Sequence, residues 1–378
     1  MTPGGDPVLE EQQRLVARNP RDVIALHNLG VELRKRDRLD EALEVIRRAV
    51  ALGAKAPETH AVYGHLLGDF GQFEEAVAQY HRLLDTHPDF IDAHETLARL
   101  LPQIGRRGEA FAAYRKALIR APGSGLLWLS ALSAAKDLRD ADELLALVRA
   151  AQTRFGPEPM LAILAGQAHM WRGNDSDAKT AITGAIAAEP DNAAGHATLA
   201  QIHIRGGDVA AAEAAALTAA RLAPDDQSGW ALLTVIWRLM GDPREYWLAD
   251  YDRFVMEFDL DGIDLPETAR TLIQLHRTVE HPAEQSLRGG TQTRGILFDK
   301  INPAIRDLKD RISVAISTGL SALPDDRGHP FLRRKSAHFA FAGSWSVRLR
   351  SEGHHISHIH QAGWLSSAVY IDLPPEVS

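Results

Sequence analysis

The sequence contains no cysteine among its 378 residues, which excludes disulfides, thiolate metal sites and a cysteine nucleophile. No apolar run approaches the roughly 18 residues that a membrane-spanning helix needs, and the N-terminus lacks the basic start and apolar core of a signal peptide. The net charge is −8, without the basic stripe that a phosphate backbone requires. We therefore expect a cytoplasmic protein that binds neither nucleic acid nor membranes.

Sequence motifs that define several enzyme classes are absent as well. The sequence has no Gly-x-Ser-x-Gly nucleophile turn, no Walker-type phosphate loop and no Gly-x-Gly-x-x-Gly dinucleotide fingerprint. Their absence argues against the commoner hydrolases, nucleotide-binding proteins and dinucleotide-dependent enzymes.

A period of 34 residues runs through the first 224 positions. Prolines mark it at 88, 122, 190 and 224, and the same lattice passes through Pro20, Ala54 and Gly156. The residue 12 positions before a lattice point is usually small, and the residue 8 positions before it is usually bulky. The small residues are Ala42, Ala76, Ala110, Ala178 and Ala212, and the bulky residues are Ile46, Tyr80, Tyr114, Val148 and Ile182.

This pattern predicts pairs of antiparallel helices, because small residues at the crossing points let two backbones approach while large residues fill the groove. Proline at the lattice point then ends the second helix of each pair. The pattern closely resembles the tetratricopeptide repeat. We predict a capping half-repeat over residues 1–22 and an α-helical solenoid over 23–242, with six repeats to residue 224 and a partial seventh.

A stacked solenoid presents an extended concave surface on the first helices of its repeats, and such surfaces bind proteins or peptides. The candidate binding residues form no consistent charge pattern. They are His27, Asn28, Arg34, Lys35, His65, Arg99 and His203. A spacer or assembly platform explains the array as well as a specific peptide receptor does.

The 34-residue period ends after Pro243. Aromatic residues at 247, 251, 254 and 258 then recur as on one helical face, which predicts a helix docked on the last repeat. A turn or loop is predicted over 259–264, and a second helix over 301–323.

From residue 338 the apolar pattern changes to a period of two, which is typical of antiparallel strands separated by glycine turns. The alternating runs lie at 339–341, 345–349, 356–360 and 365–373. We therefore predict that residues 243–378 form a β-rich domain with helices on one side.

A histidine cluster occupies residues 353–360, with the sequence Gly-His-His-Ile-Ser-His-Ile-His. If residues 356–360 are extended, His358 and His360 point to the same side, because side chains alternate across a strand. Two such imidazoles can converge on one metal ion. An exposed or hydrogen-bonded histidine strand is the alternative explanation.

Motifs on both sides of this cluster resemble a family of 2-oxoglutarate- and iron(II)-dependent oxygenases that often follow tetratricopeptide repeats in bacteria. The similarity covers roughly 243–378. Its motifs are His281-Pro282, the segment 285–293, Trp345-Ser346-Val347-Arg348-Leu349, His355-x-x-His358-x-His360 and Trp364-x-Ser366-Ser367-x-x-Tyr370.

The resemblance implies a double-stranded β-helix (jelly roll) that binds iron(II) and 2-oxoglutarate and hydroxylates a protein or peptide presented by the repeats. In prolyl-hydroxylase-like members of this family a His-x-Asp pair supplies two iron ligands. His358 matches the first of these, and His360 stands in the place of the acid. Candidates for binding the cofactor are Tyr370, Arg348 and Arg288.

Such a fold takes a distal histidine and a basic residue for 2-oxoglutarate from later strands. Both would lie beyond Ser378, so we expect a truncated domain that lacks roughly 60–100 residues. Two other hypotheses remain open. One is a non-catalytic scaffold for protein–protein interaction, and the other is a cupin-like histidine site that holds zinc or another metal without 2-oxoglutarate.

Overall fold

The structure is a computed structural model, and it describes residues 6–276, 286–293, 296–356, 358, 360 and 363–373. Paired helices account for most of the chain up to residue 240. They are α1 (Pro7–Arg18), α2 (Val23–Lys35), α3 (Leu39–Ala51), α4 (Pro57–Asp69), α5 (Phe73–Thr86), α6 (Ile91–Gln103), α7 (Ala112–Arg120), α8 (Gly125–Asp137), α9 (Ala141–Phe155), α10 (Pro159–Trp171), α11 (Asp175–Ala188), α12 (Ala193–Arg205), α13 (Val209–Leu222) and α14 (Gln227–Met240). The predicted helical solenoid is confirmed.

Close approach of the two helices in a repeat depends on glycine in three of the repeats. A Cβ atom on Gly30 would lie 2.5 Å from the side chain of Ile46, and one on Gly166 would lie 2.6 Å from that of Ile182. Gly64 faces the Tyr80 ring in the same way, at 2.6 Å. The bulky residue of the predicted pattern therefore fills the space that the glycine leaves open.

The turn between the two helices also recurs every 34 residues. Residues 37, 71, 105, 139, 173, 207 and 241 all have a positive φ, and five of these seven are glycine. Asp37 (φ 58°) and Arg139 (φ 49°) adopt this backbone conformation without being glycine. These turns between paired helices therefore form one series with the same period as the helices.

A side-chain hydrogen bond forms a third periodic feature, which the sequence alone did not reveal. In five repeats a ring N–H donates to the carbonyl oxygen of the lattice residue six positions earlier, over 2.8–3.0 Å. The pairs are His60–Ala54, His94–Pro88, Trp128–Pro122, His196–Pro190 and Trp230–Pro224. Several histidines of the repeats therefore have a structural role.

The chain divides into two compact units. The first comprises the described residues of 1–134, 264–309 and 343–355, and the second comprises those of 135–263, 310–342 and 356–378. Each compact unit combines repeats with residues from the C-terminal part of the chain. The predicted domain boundaries after residues 22 and 242 stay predictions.

The predicted continuous helix through residues 247–258 is wrong. Two short helices, α15 (Arg244–Ala249) and α16 (Tyr251–Phe254), are separated by Asp250, whose φ of 27° breaks the helical geometry. Phe258 lies beyond both. Trp247 and Tyr251 remain 44% and 45% exposed, so the aromatic residues do not share one buried face.

The predicted helix near 301–323 is confirmed as α18 (Pro303–Ala322), and α17 spans Leu265–Leu275. Ile305, Leu308 and Leu320 of α18 are buried. The loop predicted at 259–264 contains a turn at Gly262, where φ is 72°. No helix in the described part of the chain is long and apolar enough to cross a membrane.

The sheet is smaller than the period-two pattern predicts. Strand β1 (Leu287–Gln292) pairs antiparallel with β2 (Val347–His355), with Leu287 opposite His355 and Gln292 opposite Val347. The runs at 339–341 and 365–373 form no strand, so these predictions are wrong, and the run at 356–360 lies partly outside the described residues. A strand needs a neighbour for its backbone hydrogen bonds, and the ladder in the described residues ends with β1 and β2.

Candidate functional site

His358 and His360 lie just after β2, and their rings are adjacent. The ring centroids are 5.0 Å apart, with an angle of 80° between the ring planes. The Nδ1 atom of His358 lies 2.9 Å from the carbonyl oxygen of Ile356, which favours an Nδ1–H donor and leaves Nε2 with its lone pair. Both side chains are exposed. The pair therefore places two exposed imidazole rings, which are common metal ligands, next to each other.

The ring separation suits two ligands of one ion. A metal bonded at about 2.1 Å to each imidazole lies roughly 3.2 Å from each ring centroid, so adjacent ligands have centroids roughly 4.5–5 Å apart. However, the described residues contain no group of three or more His, Cys, Asp or Glu side chains that could hold a metal. They therefore fit part of an iron site and do not complete it, and no catalytic step can be derived from them.

The three candidates for the cofactor lie in different local settings. Arg288 is at the irregular step of the β1–β2 ladder, and its Nη1 donates to the carbonyl oxygen of Leu287 over 2.7 Å. Arg348 is on β2, opposite Thr291 of β1. Tyr370 is 74% exposed. Their assignment to 2-oxoglutarate stays a prediction, and motif residues 281, 282 and 285 lie outside the described residues.

His276, which no sequence motif singled out, links α17 to both strand segments. Its Nδ1 lies 2.8 Å from the Thr291 hydroxyl and its Nε2 lies 3.0 Å from the Ser346 hydroxyl. Burial lowers the pKa of His276, and the charge of Arg348 lowers it further. A neutral imidazole therefore joins these segments at neutral pH. A lone histidine after a helix gave no periodic or motif signal that could have revealed this role.

Two of the predicted binding residues, Arg34 and His65, contact residues of neighbouring helices. The guanidinium of Arg34 bonds the Asp69 carboxylate over 2.7 Å. His65 contacts the hydroxyl of Tyr80 through Nδ1 at 2.7 Å and the carboxylate of Asp92 through Nε2 at 3.1 Å. The hydrogen bond from His65 lowers the pKa of Asp92. These side chains therefore hold neighbouring helices together.

The remaining candidates are mixed. Lys35 forms an ion pair with Glu32 at 2.8 Å within its own helix. His27 lies 3.2 Å from the Thr59 hydroxyl, and burial lowers its pKa. Asn28 and Arg99 are exposed. His203 lies 3.7 Å from Asp208 at the next turn. Asn28 and Arg99 are thus the candidates best placed to meet a partner.

Residues from the C-terminal part of the chain contact repeats inside each compact unit. In the first unit Lys300 forms an ion pair with Asp37 at 3.2 Å, and the Ile301 amide donates to the carbonyl oxygen of Lys35 over 3.4 Å. In the second unit the guanidinium of Arg333 bonds the Asp225 carboxylate. The repeats therefore support these later segments directly.

Comparisons with known families match two kinds of segment in the chain. Models described as "Tetratricopeptide repeat" match residues 12–57, 64–125 and 172–236. A model described as "Putative 2OG-Fe(II) oxygenase" matches residues 343–378, which include both histidines of the pair. No curated protein sequence matches the chain significantly.

Solved structures similar to this chain are also repeat proteins. A tetratricopeptide protein from Parabacteroides merdae is 18% identical, with a TM-score of 0.36, over 60% of this chain and 90% of its own. A thermophilic tetratricopeptide protein from Thermus thermophilus is 21% identical, with a TM-score of 0.27, over 58% of this chain and 98% of its own. YrrB, described as having an unusual peptide-binding site, is 18% identical with a TM-score of 0.34, over 50% of this chain and 96% of its own. By the family models, the part of the chain within residues 12–236 contains tetratricopeptide repeats, and residues 343–378 match part of a 2-oxoglutarate–iron(II) oxygenase family.

Proposed function

We propose that residues 243–378 belong to a 2-oxoglutarate- and iron(II)-dependent oxygenase domain in which His358 and His360 bind the metal. The observation that carries this proposal is an imidazole pair with centroids 5.0 Å apart, inside the segment 343–378 that matches the oxygenase family. Iron(II) and 2-oxoglutarate, when bound, supply the oxygen activation for hydroxylation. The role of this chain is to hold the two imidazoles close together and to present their nitrogens.

His360 gives this proposed site a distinct charge. A carboxylate in its place would neutralise one charge of the metal, whereas a neutral imidazole leaves that charge on the site. Imidazole ligands suit zinc, copper and nickel as well as iron. Metal choice is therefore the property that separates an iron oxygenase from a cupin-like zinc site.

Metal titration of the full chain tests the ligand assignment. We expect iron(II), added without oxygen and followed by calorimetry, to bind at one equivalent. His358→Ala should weaken this binding by at least about 10- to 100-fold, because even the loss of a residue that only orients a ligand costs that much. His354→Ala is the matched control, since His354 is an exposed histidine four residues away whose Nδ1 faces the Glu352 carbonyl oxygen at 3.2 Å. Equal binding by His358→Ala and the unsubstituted chain would refute the assignment.

Substitution at residue 360 sharpens the same test. His360→Asp creates a His-x-Asp pair, whose carboxylate suits iron(II). We expect iron(II) binding to survive in His360→Asp while the affinity for zinc relative to iron falls. Zinc binds more tightly than iron(II) at most nitrogen and oxygen sites, so the change in the ratio of the two affinities is the informative quantity. An unchanged ratio in His360→Asp would refute the assignment of His360 as a ligand.

We propose that the repeats present a protein or peptide to this domain. The repeat-family matches over 12–236 and the exposed side chains of Asn28 and Arg99 support a binding role. The alternative is a non-catalytic scaffold, which the same repeats support. The two differ in one assay: an oxygenase forms succinate from 2-oxoglutarate in an iron-dependent reaction that His358→Ala abolishes. A scaffold forms none and shows no change in iron binding on that substitution.

A further inference from the structure

A cavity of about 500 Å³ lies inside the second compact unit. Helix α13, the start of α14 and residues 327–333 surround it. It is separate from the histidine pair, because none of its lining residues belongs to the segment after β2. Its volume suits a small molecule or a side-chain-sized group.

Three arginines line this cavity, namely Arg221, Arg327 and Arg333. Arg333 bonds the carboxylate of Asp225, which is 73% exposed. Within the described residues Arg221 and Arg327 form neither a hydrogen bond nor an ion pair. Guanidinium groups stay charged at all ordinary pH values and bind carboxylates and phosphates through paired N–H donors. The residues that line the cavity therefore include three positive charges and no negative charge, and Arg221 and Arg327 offer unused donors.

An apolar wall completes the cavity. The indole of Trp230 lines it, and its Nε1–H donates to the carbonyl oxygen of Pro224 over 3.0 Å. This bond fixes the orientation of the ring. Leu217, a lining residue on α13, is 41% exposed. A flat apolar group can pack against these two side chains while an attached anion reaches the arginines.

We infer that this cavity binds a small organic anion, with a carboxylate or phosphate held by Arg221, Arg327 and Arg333 and a flat apolar portion packed on Trp230. The anion can come from a free metabolite or from the side chain of a modified or acidic protein, since both present the same chemistry. The inference is independent of the oxygenase proposal, because it uses no residue of the histidine pair.

Calorimetry of the full chain with three simple probes tests the inference. We expect phenyl phosphate to bind, and benzoate to bind with the same stoichiometry. Inorganic phosphate should bind about fivefold or more weakly than phenyl phosphate, because it lacks a ring to pack on Trp230. The affinity for a short phosphotyrosine peptide is then compared with that for phenyl phosphate. Tighter binding of the peptide indicates a protein source of the anion, and tighter binding of phenyl phosphate indicates a free metabolite. No binding of phenyl phosphate and benzoate at millimolar concentration would overturn the inference.

Arginine variants locate the binding site. Arg221→Gln and Arg327→Gln should each lower the affinity for phenyl phosphate by about fivefold, because each removes charged donors to the anion. Arg149→Gln is the matched control. Arg149 is an exposed arginine of α9 in the same compact unit, and it does not line the cavity. Equal weakening by all three variants would indicate diffuse charge attraction and would contradict a site at the cavity.

Substitutions of Asp225 and Trp230 should change the affinity for phenyl phosphate in opposite directions. Asp225→Asn should raise the affinity for phenyl phosphate by about twofold to fivefold, because it releases Arg333 and removes a competing negative charge. Trp230→Leu should weaken phenyl phosphate without changing the affinity for inorganic phosphate, and retained phosphate binding shows that the variant is folded. Weaker binding by Asp225→Asn would refute the role given to Arg333.

Discussion

The repeats and the C-terminal residues differ in how deeply the aromatic side chains compared below are buried. Tyr80 and Tyr114 in the repeats are 1% and 0% exposed. Trp247, Phe258 and Trp345, from the later part of the chain, are 41–45% exposed. In the repeats a bulky residue faces a small residue that the same 34-residue pattern supplies. In the later residues each apolar side chain depends on a partner that no local pattern provides.

The largest expected effect is the loss of a buried aromatic residue from the repeats. Tyr80→Ala should lower the free energy of unfolding by about 3–5 kcal/mol, because a large buried ring is replaced by a cavity. Tyr370→Ala should change it by less than about 0.5 kcal/mol, since Tyr370 is 74% exposed. Denaturant unfolding followed by circular dichroism measures both. Similar losses in the two variants would remove the contrast between the regions.

Substitutions at two glycines test how much stability depends on the close approach of paired helices. Gly64→Ala should destabilise the protein by about 1–3 kcal/mol, because the new methyl group overlaps the Tyr80 ring. Gly184→Ala in α11 should stabilise it by about 0.5–1 kcal/mol, since a Cβ there meets no atom within 4 Å and alanine favours the helix. Thermal unfolding distinguishes the two signs. Stabilisation by Gly64→Ala would show that the ring moves away freely.

A smaller effect is expected from pH at His94 in the repeats. Its Nε2–H donates to the Pro88 carbonyl oxygen, and its Nδ1 is buried without a hydrogen-bond partner among the described residues. Burial lowers the pKa of His94. Below about pH 6.5 the unfolded chain therefore takes up a proton that the folded chain does not, so stability falls as the pH decreases.

His94→Phe should reduce this loss of stability between pH 7 and pH 5.5, measured by denaturant unfolding at each pH. His196→Phe removes the equivalent hydrogen bond to Pro190 at a half-buried position and controls for the bond itself. An unchanged pH dependence in His94→Phe would show that other groups cause the effect.

Periodicity made the repeats predictable from the sequence. Each 34-residue unit repeats the same residue pattern. Proline positions predict where helices end, alanine positions predict where two helices cross, and glycine positions predict turns. The ring N–H bonds to the lattice carbonyl are not predictable from residue type, because His94 and Trp128 are dissimilar residues although both donate from a ring nitrogen. A search for donors at a fixed offset from the lattice would have found them.

The later residues were only partly predictable, for two physical reasons. Asp250 with φ 27° ends a helix that the aromatic spacing favoured, and no sequence rule requires aspartate to do so. Strand formation depends on pairing between residues far apart in sequence, such as Leu287 and His355. Alternation alone could therefore not decide which of the period-two runs would form strands. The rings of His358 and His360 are adjacent although neither residue belongs to a strand. The two-residue spacing was therefore sufficient to predict that they lie close together.

The assignment of His358 and His360 as metal ligands is the central claim, and nuclear magnetic resonance of the histidine rings tests it most directly. Cobalt(II) added in small amounts broadens the signals of the rings that bind it. Among the 17 histidines, we predict that those of His358 and His360 broaden first and together, and that the His358→Ala variant loses this response. First broadening at His354 or at the repeat histidines, with His358 and His360 unchanged, would contradict the account.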